Sequence, residues 1–208
     1  MVSMDRTSVD FWLDPLCPWS WLTATWLQEV QRETGLQVRW GVMSLAVLNE
    51  GTDIPPEWES FLTGSWAAVR ALEAARQAGG DAAFVAMLDG IGRRYHVEGR
   101  RDVEAILVEA TAEAGLPASI AERAWTDDLD EDVRLSHKQA MALGGPDVGS
   151  PILGFAGPDG PVGFYGPIVS RVPVGSEAVQ VFEATRTLAT TPGFFELKRT
   201  RDEEPWLL

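Results

Sequence analysis

The sequence predicts an α/β fold with a β-α-β opening, an all-helical insertion and a β-β-α close. Three observations predict it. An apolar run, Val9-Asp10-Phe11-Trp12-Leu13, leads through a proline turn into a helical stripe and then a second apolar run. A long middle stretch is rich in Ala, Leu, Glu and Arg. Two short apolar segments then flank Gly157-Pro158-Asp159-Gly160 ahead of a last helix.

Residues 8–14 read as a buried strand and Asp14-Pro15-Leu16 as the turn after it. Pro18 suits the first helical position, where its missing N–H costs nothing. Leu22, Trp26, Leu27 and Val30 form an apolar stripe at i, i+4, i+5 and i+8, and Gly35 stops the helix. Residues 36–45 alternate weakly through Leu36, Val38, Trp40 and Val42 and read as a second strand. A strand, a crossover helix and a strand imply a parallel pair with a right-handed connection. The polar loop from Asn49 to Pro56 follows.

The insertion is expected to hold helices at 57–77, 82–95, 102–114, 117–126 and 129–143. Gly79-Gly80, Gly99, Gly115-Leu116-Pro117 and Asp127-Asp128 separate them. Segments 152–156 and 162–165 then read as an antiparallel hairpin, because the turn between them has proline at its second position and glycine at its fourth. The last helix is expected to start with Ser176 as N-cap and to run to Ala189, short of Pro192-Gly193.

Composition bounds the function. With 208 residues and 45% apolar content the chain can bury a core as one large domain, or as one domain carrying an insertion. A formal charge of −14 argues against nucleic acid or an anionic membrane as partner, since both need clustered Lys and Arg. The first twenty residues hold Asp5, Asp10 and Asp14 and lack the basic start and apolar stretch of a secretory signal. No apolar run approaches the ~20 residues that span a bilayer. Cys17 is the single cysteine, which excludes an internal disulfide framework and fits a reducing, cytoplasmic compartment. His96 and His137 fall on separate expected helices, so no helical metal pair exists and no metal is expected.

The chemistry concentrates at Cys17-Pro18-Trp19-Ser20. A thiolate is the nucleophile, and an ordinary cysteine, with a pKa of ~8.5, is mostly protonated at neutral pH. A helix N-terminus presents unpaired N–H groups and partial positive charge, both of which favour a thiolate at Cys17. Ser20, one turn on, can add a hydroxyl hydrogen bond to the same sulfur. Pro15, Pro18 and the neighbouring aromatics suggest an exposed turn. A second element is Val148-Gly149-Ser150-Pro151-Ile152, with proline at the start of a strand. Such an X-Pro bond is a candidate cis peptide, and an ordinary trans proline ending a loop is the other reading. A cis bond would leave the Ser150 backbone free to pair with an extended thiol substrate beside Cys17.

Several phrases carry a resemblance that spans essentially the whole chain. They are Asp10-Phe11-Trp12-Leu13-Asp14-Pro15-Leu16-Cys17-Pro18-Trp19, Val42-Met43-Ser44-Leu45-Ala46-Val47-Leu48-Asn49-Glu50, Asp147-Val148-Gly149-Ser150-Pro151, Phe164-Tyr165-Gly166-Pro167 and Phe194-Phe195-Glu196-Leu197-Lys198-Arg199-Thr200-Arg201. Together they resemble the DsbA-like branch of the thioredoxin superfamily, and more closely its actinobacterial mycothiol-dependent nitroreductases. The resemblance implies a thioredoxin-like domain at 1–50 and 145–208 and a helical subdomain at 51–144 that closes over the site. It implies mycothiol as co-substrate, Cys17 as nucleophile, Trp19 as the aromatic of the turn, Pro151 as the cis-proline and Asn49 as a polar residue near bound substrate. With Pro18, Ser20 and Ser150 these are the expected site residues.

The departure is Ser20, where close relatives carry a resolving cysteine. It leaves a monothiol route, in which Cys17 forms a mixed disulfide that a second thiol resolves. The expected partners are a small-molecule thiol and a small electrophile or disulfide, nitroaromatics being implied by the resemblance alone. A homodimer is admitted. Cys17-Pro18-Trp19-Ser20-Trp21 also resembles the Ser-Pro-Tyr-Ser-Trp pattern of kappa-class glutathione transferases and 2-hydroxychromene-2-carboxylate isomerases. There a turn hydroxyl activates the thiol of a bound cofactor, which implies a mycothiol transferase or isomerase. A thioredoxin-like binding module without catalysis is the third reading.

Overall fold

The computed structural model of the chain describes residues 8–207; residues 1–7 and 208, at the two ends of the expected α/β domain, lie outside them. A four-stranded sheet has the order β2-β1-β3-β4. β1 (Ser8–Leu13) pairs in parallel with β2 (Gln37–Val42), and α1 (Pro18–Thr34) is the crossover between them. On its other edge β1 pairs antiparallel with β3 (Ile152–Gly157), which pairs antiparallel with β4 (Gly160–Tyr165). The last helix is α7 (Gly175–Ala189). This is the expected β-α-β and β-β-α order, and β1, first in the chain, sits inside the sheet. Its apolar residues are buried because it has strands on both edges and helices over its faces.

The boundaries that moved have local causes. The second strand stops at Val42 rather than continuing to Leu45, because Ser44 accepts a hydrogen bond from the Val47 N–H and caps a short helix, α2 (Leu45–Leu48). The two expected helices at 57–77 and 82–95 lie on either side of Gly79-Gly80 within the span α3 (Pro56–Gly92), whose backbone leaves the helical conformation at those two glycines. Gly80 has φ +66°, where a side chain would be strained, so the glycine pair interrupts the helix at a kink, as expected. A π-helical turn, Arg93–Val97, continues it. The remaining insertion helices are α4 (Val103–Glu113), α5 (Ser119–Arg123) and α6 (Asp130–Gly144). Ser176 does not cap α7, which begins one residue earlier. The Gly175 N–H instead donates to the Glu29 carboxylate of α1 at 2.7 Å. None of these helices is long and apolar enough to cross a membrane.

Insertion and sheet share one core. Phe11, Trp40 and Val42 of the strands, Trp26 and Leu27 of α1, and Leu72, Phe84 and Ile91 of α3 belong to a single buried cluster. Phe11 packs edge-on against Trp40 at 5.5 Å, and Trp40 meets Phe84 of α3 at 6.5 Å. The insertion therefore anchors on the back of β2 as well as covering the Cys17 end of the sheet. A second contact ties it to α1: a Cβ placed on Gly92 would stand 2.1 Å from the Trp21 ring.

That contact yields a test. The Trp21 ring is buried and stacked on His96 at 5.9 Å, so it cannot swing aside. Gly92→Ala is expected to destabilise the chain by about 1–3 kcal/mol through overpacking, read as a lower urea midpoint with unchanged slope. A midpoint equal to that of the parent would show that the insertion does not lean on α1 here.

Candidate functional site

The site grows from the end of β1. Asp14 follows the strand, its backbone turns, and the Cys17 N–H bonds the Asp14 carbonyl at 3.1 Å. Cys17 is the N-cap of α1 in extended conformation, and Pro18 opens the helix as expected. The loop before β3 comes alongside. Its Ser150–Pro151 bond is cis, and Pro151 is buried. The Cys17 thiol donates to the Ser150 carbonyl at 3.7 Å.

The two serines meet behind the sulfur. Ser20 Oγ lies 2.7 Å from Ser150 Oγ, and Ser150 Oγ accepts from the Asp14 N–H at 2.8 Å. Proton counting orders this chain once Cys17 ionises. If the Ser20 hydroxyl donates to the thiolate, the Ser150 hydroxyl must be the donor to Ser20, which its oxygen allows while accepting the Asp14 N–H. The Ser20 hydroxyl and the Ser20 and Trp19 backbone N–H groups all favour ionised sulfur.

Burial opposes them. Cys17 is 6% exposed rather than on an open turn, and desolvation pushes its thiol up from the ordinary value. Ser20 and the backbone pull it down by less, and the charge of Asp14 adds to the rise. The expectation of a thiolate set free by the helix terminus is corrected on this point. The helix donors are present, but the covered turn has lost the water that would also solvate a charge. Burial thus favours the thiol form of Cys17 over the thiolate.

Asp14 is the residue that sequence reasoning passed over as part of a turn. It is fully buried. One carboxylate oxygen accepts the Leu16 N–H at 2.9 Å; the other accepts the Leu45 N–H at 2.9 Å and the Ser65 hydroxyl. Burial pushes its carboxyl up, against those three donors. The available signal was a carboxylate at the end of an unbroken apolar strand, where only satisfied hydrogen bonds make a buried charge tolerable.

The other expected residues are placed as follows. Trp19 is half-buried beside Cys17, and the Arg201 guanidinium lies 5.3 Å over its ring. Asn49 ends α2 and gives its side-chain N–H to the Leu45 carbonyl at 2.7 Å, so its connection to the site runs through α2. His96 bonds the Pro15 carbonyl through Nε2 at 2.9 Å, and thus touches the turn but not the sulfur. His137 is buried on α6, with Nδ1 lacking a hydrogen-bond partner among the described residues.

Two predictions follow from these neighbours. Ser20→Ala removes a donor to the thiolate, so the pH midpoint of Cys17 alkylation by iodoacetamide should rise. A midpoint that stays put or falls would remove Ser20 from the site. Burial pushes His96 down to about 4 from an ordinary 6.5, so the fold prefers the neutral ring. Its contribution is intact above pH 6.5 and is lost as pH falls towards 4, amounting to about 3 kcal/mol. Urea melts at pH 7 and pH 4.5 should show this loss in the parent and a smaller one in His96→Gln. An equal loss in both chains would contradict it.

Comparison with known proteins follows the same lines. The model of the Rv2466c-like family, described as mycothiol-dependent nitroreductase Rv2466c, matches residues 16–199. The chain is 27% identical over 201 residues to the uncharacterized protein Rv2286c of Mycobacterium tuberculosis, covering 94% of this chain and 83% of that one. Among solved structures it is similar to the cytosolic disulfide reductase DsbM of Pseudomonas aeruginosa, with TM-score 0.57 and 22% identity over 88% of this chain and 100% of that one. It is also similar to the probable DsbA oxidoreductase SCO1869 of Streptomyces coelicolor, with TM-score 0.54 and 20% identity over 94% of each chain. At these identities the likeness shows the fold, which is the DsbA-like thioredoxin fold with a helical insertion.

Proposed function

Because the chain belongs to the Rv2466c-like family of mycothiol-dependent nitroreductases, we propose that it is a thiol-dependent oxidoreductase that works through Cys17 alone, with mycothiol as co-substrate. The observation that carries this reading is the lone thiol at a helix N-terminus, with the Ser20 hydroxyl one turn further on. The single cysteine and the −14 charge support a cytoplasmic protein that acts on small molecules.

In the cycle, the Cys17 thiolate attacks a mixed disulfide between mycothiol and a substrate thiol. The Cys17–mycothiol disulfide forms and the substrate leaves as its thiolate. A second mycothiol thiolate then attacks the mycothiol sulfur, releasing mycothiol disulfide and restoring Cys17. Loss of the Cys17 proton also frees the Ser150 carbonyl, which suits it to accept an amide N–H of the incoming thiol. Ser20 and the Trp19 and Ser20 N–H groups hold the negative charge whenever Cys17 leaves or returns as thiolate. Small electrophiles, nitroaromatics among them, are the second substrate class of this reading.

Burial of Cys17 as a thiol favours a second reading, in which a bound mycothiol is the nucleophile and the turn only orients it. Intact mass separates the two. After exposure to mycothiol disulfide the parent chain should gain one mycothiol, Cys17→Ser should gain none, and added mycothiol should remove the adduct. An adduct-free parent sinks the monothiol cycle. In that case turnover of an electrophile by Cys17→Ala would mark a transferase or isomerase, and its absence a binding module.

A further inference from the structure

The C-terminal segment after α7 returns across the site and is held at both ends. Near its start the Phe194 ring stacks on Phe164 of β4 at 5.8 Å. Near its end the Trp206 N–H bonds the Ser170 carbonyl at 2.8 Å and the Arg171 guanidinium lies 3.9 Å over the Trp206 ring. Glu203 accepts from the Ser170 hydroxyl at 3.0 Å and from Arg171 at 3.2 Å. Arg201 lies between these anchors. Its guanidinium sits over Trp19, two residues from the reacting sulfur, and near enough to Tyr165 for its charge to favour the ionised phenol. Tyr165 in turn stands close enough to Cys17 for the sulfur's charge to oppose ionisation of the phenol.

The charge environment makes this placement unusual. The chain carries an excess of carboxylates, and most of its described arginines close on one, as Arg70 does on Asp130, Arg94 on Glu109, Arg134 on Glu50 and Arg171 on Glu203, while Arg101 bonds backbone carbonyls instead. Among the described residues Arg201 closes on no carboxylate; its guanidinium faces the Trp19 indole. A guanidinium with unspent donors beside a nucleophile is a receptor for a negative group. We propose that Arg201, strapped beside Cys17 by the C-terminal segment, selects substrates that carry a negative charge next to the atom the thiol attacks. This rests on Cys17 acting as a nucleophile and adds a substrate class that the cycle itself does not require.

Two alkylating agents that differ in charge test it. Iodoacetate and iodoacetamide both lose iodide to the Cys17 thiolate and leave a thioether, but only iodoacetate carries a carboxylate beside the reacting carbon. The ratio of their rates cancels any effect on how much thiolate is present. In Arg201→Ala the iodoacetate-to-iodoacetamide ratio should fall about fivefold, the effect of one charge at contact distance in a wet site. Arg201→Glu should lower it further, and Arg201→Lys should keep part of it. Salt should lower the ratio in the parent and leave it flat in Arg201→Ala. Arg201 is exposed, so these changes spare the core. Loosening the strap in Trp206→Ala should lower the ratio in the same direction. An unchanged ratio in Arg201→Ala, with both rates moved together or not at all, overturns the selectivity while leaving the mycothiol adduct on Cys17 intact. If neither agent reaches Cys17 in the folded parent but both do in urea, the nucleophile and the selectivity fall together.

Discussion

The Asp14 carboxylate and backbone join four parts of the chain at one buried point. The carboxylate takes N–H groups from the Cys17 turn and from α2 and a hydroxyl from α3, while the Asp14 N–H reaches Ser150 on the loop before β3. Each of those donors would lose its partner if the carboxyl were absent, at about 1–3 kcal/mol apiece. The sheet, the insertion and the loop carrying Pro151 are therefore held in register where the thiol sits. Cys17 is positioned by a junction formed mostly from residues distant in sequence.

The same junction explains why the thiol is restrained. Covering the turn brings Ser20 and Ser150 together and gives the sulfur its donors, and it also removes water. Desolvation outweighs those donors and favours the thiol over the thiolate. Its ionised form is prepared by three donors that neither the thiol nor bulk solvent uses in that way. A site of this kind depends on what enters it, which accords with an outside thiol taking the place of a second cysteine.

Much of the fold was legible because its signals are local. Periodicity marked α1, Pro18 and Gly35 marked its ends, and Gly157-Pro158-Asp159-Gly160 marked the β3–β4 hairpin. The errors lie where a distant group or a competing local cap overrode the signal that was read. Glu29 of α1, not Ser176, serves the start of α7. Ser44 turned the end of an alternating strand into a helix cap. The long-range partners of Asp14, Ser20 and Arg201 had no local trace, because hydrogen bonds between residues fifty to a hundred and thirty positions apart leave no period in a sequence.

By itself, then, the sequence determined the β-α-β, insertion and β-β-α order, the placing of one cysteine at a helix start, and the lack of a second cysteine to close a disulfide with it. Those follow from residue identity and short-range sterics. The tertiary structure alone decided that Cys17 is covered and its ionisation opposed by burial, that Ser20 is linked through Ser150 to Asp14, and that Arg201 returns from the far end of the chain to stand over Trp19. Solvation and charge at a point depend on everything packed around it, and only the folded chain assembles those neighbours.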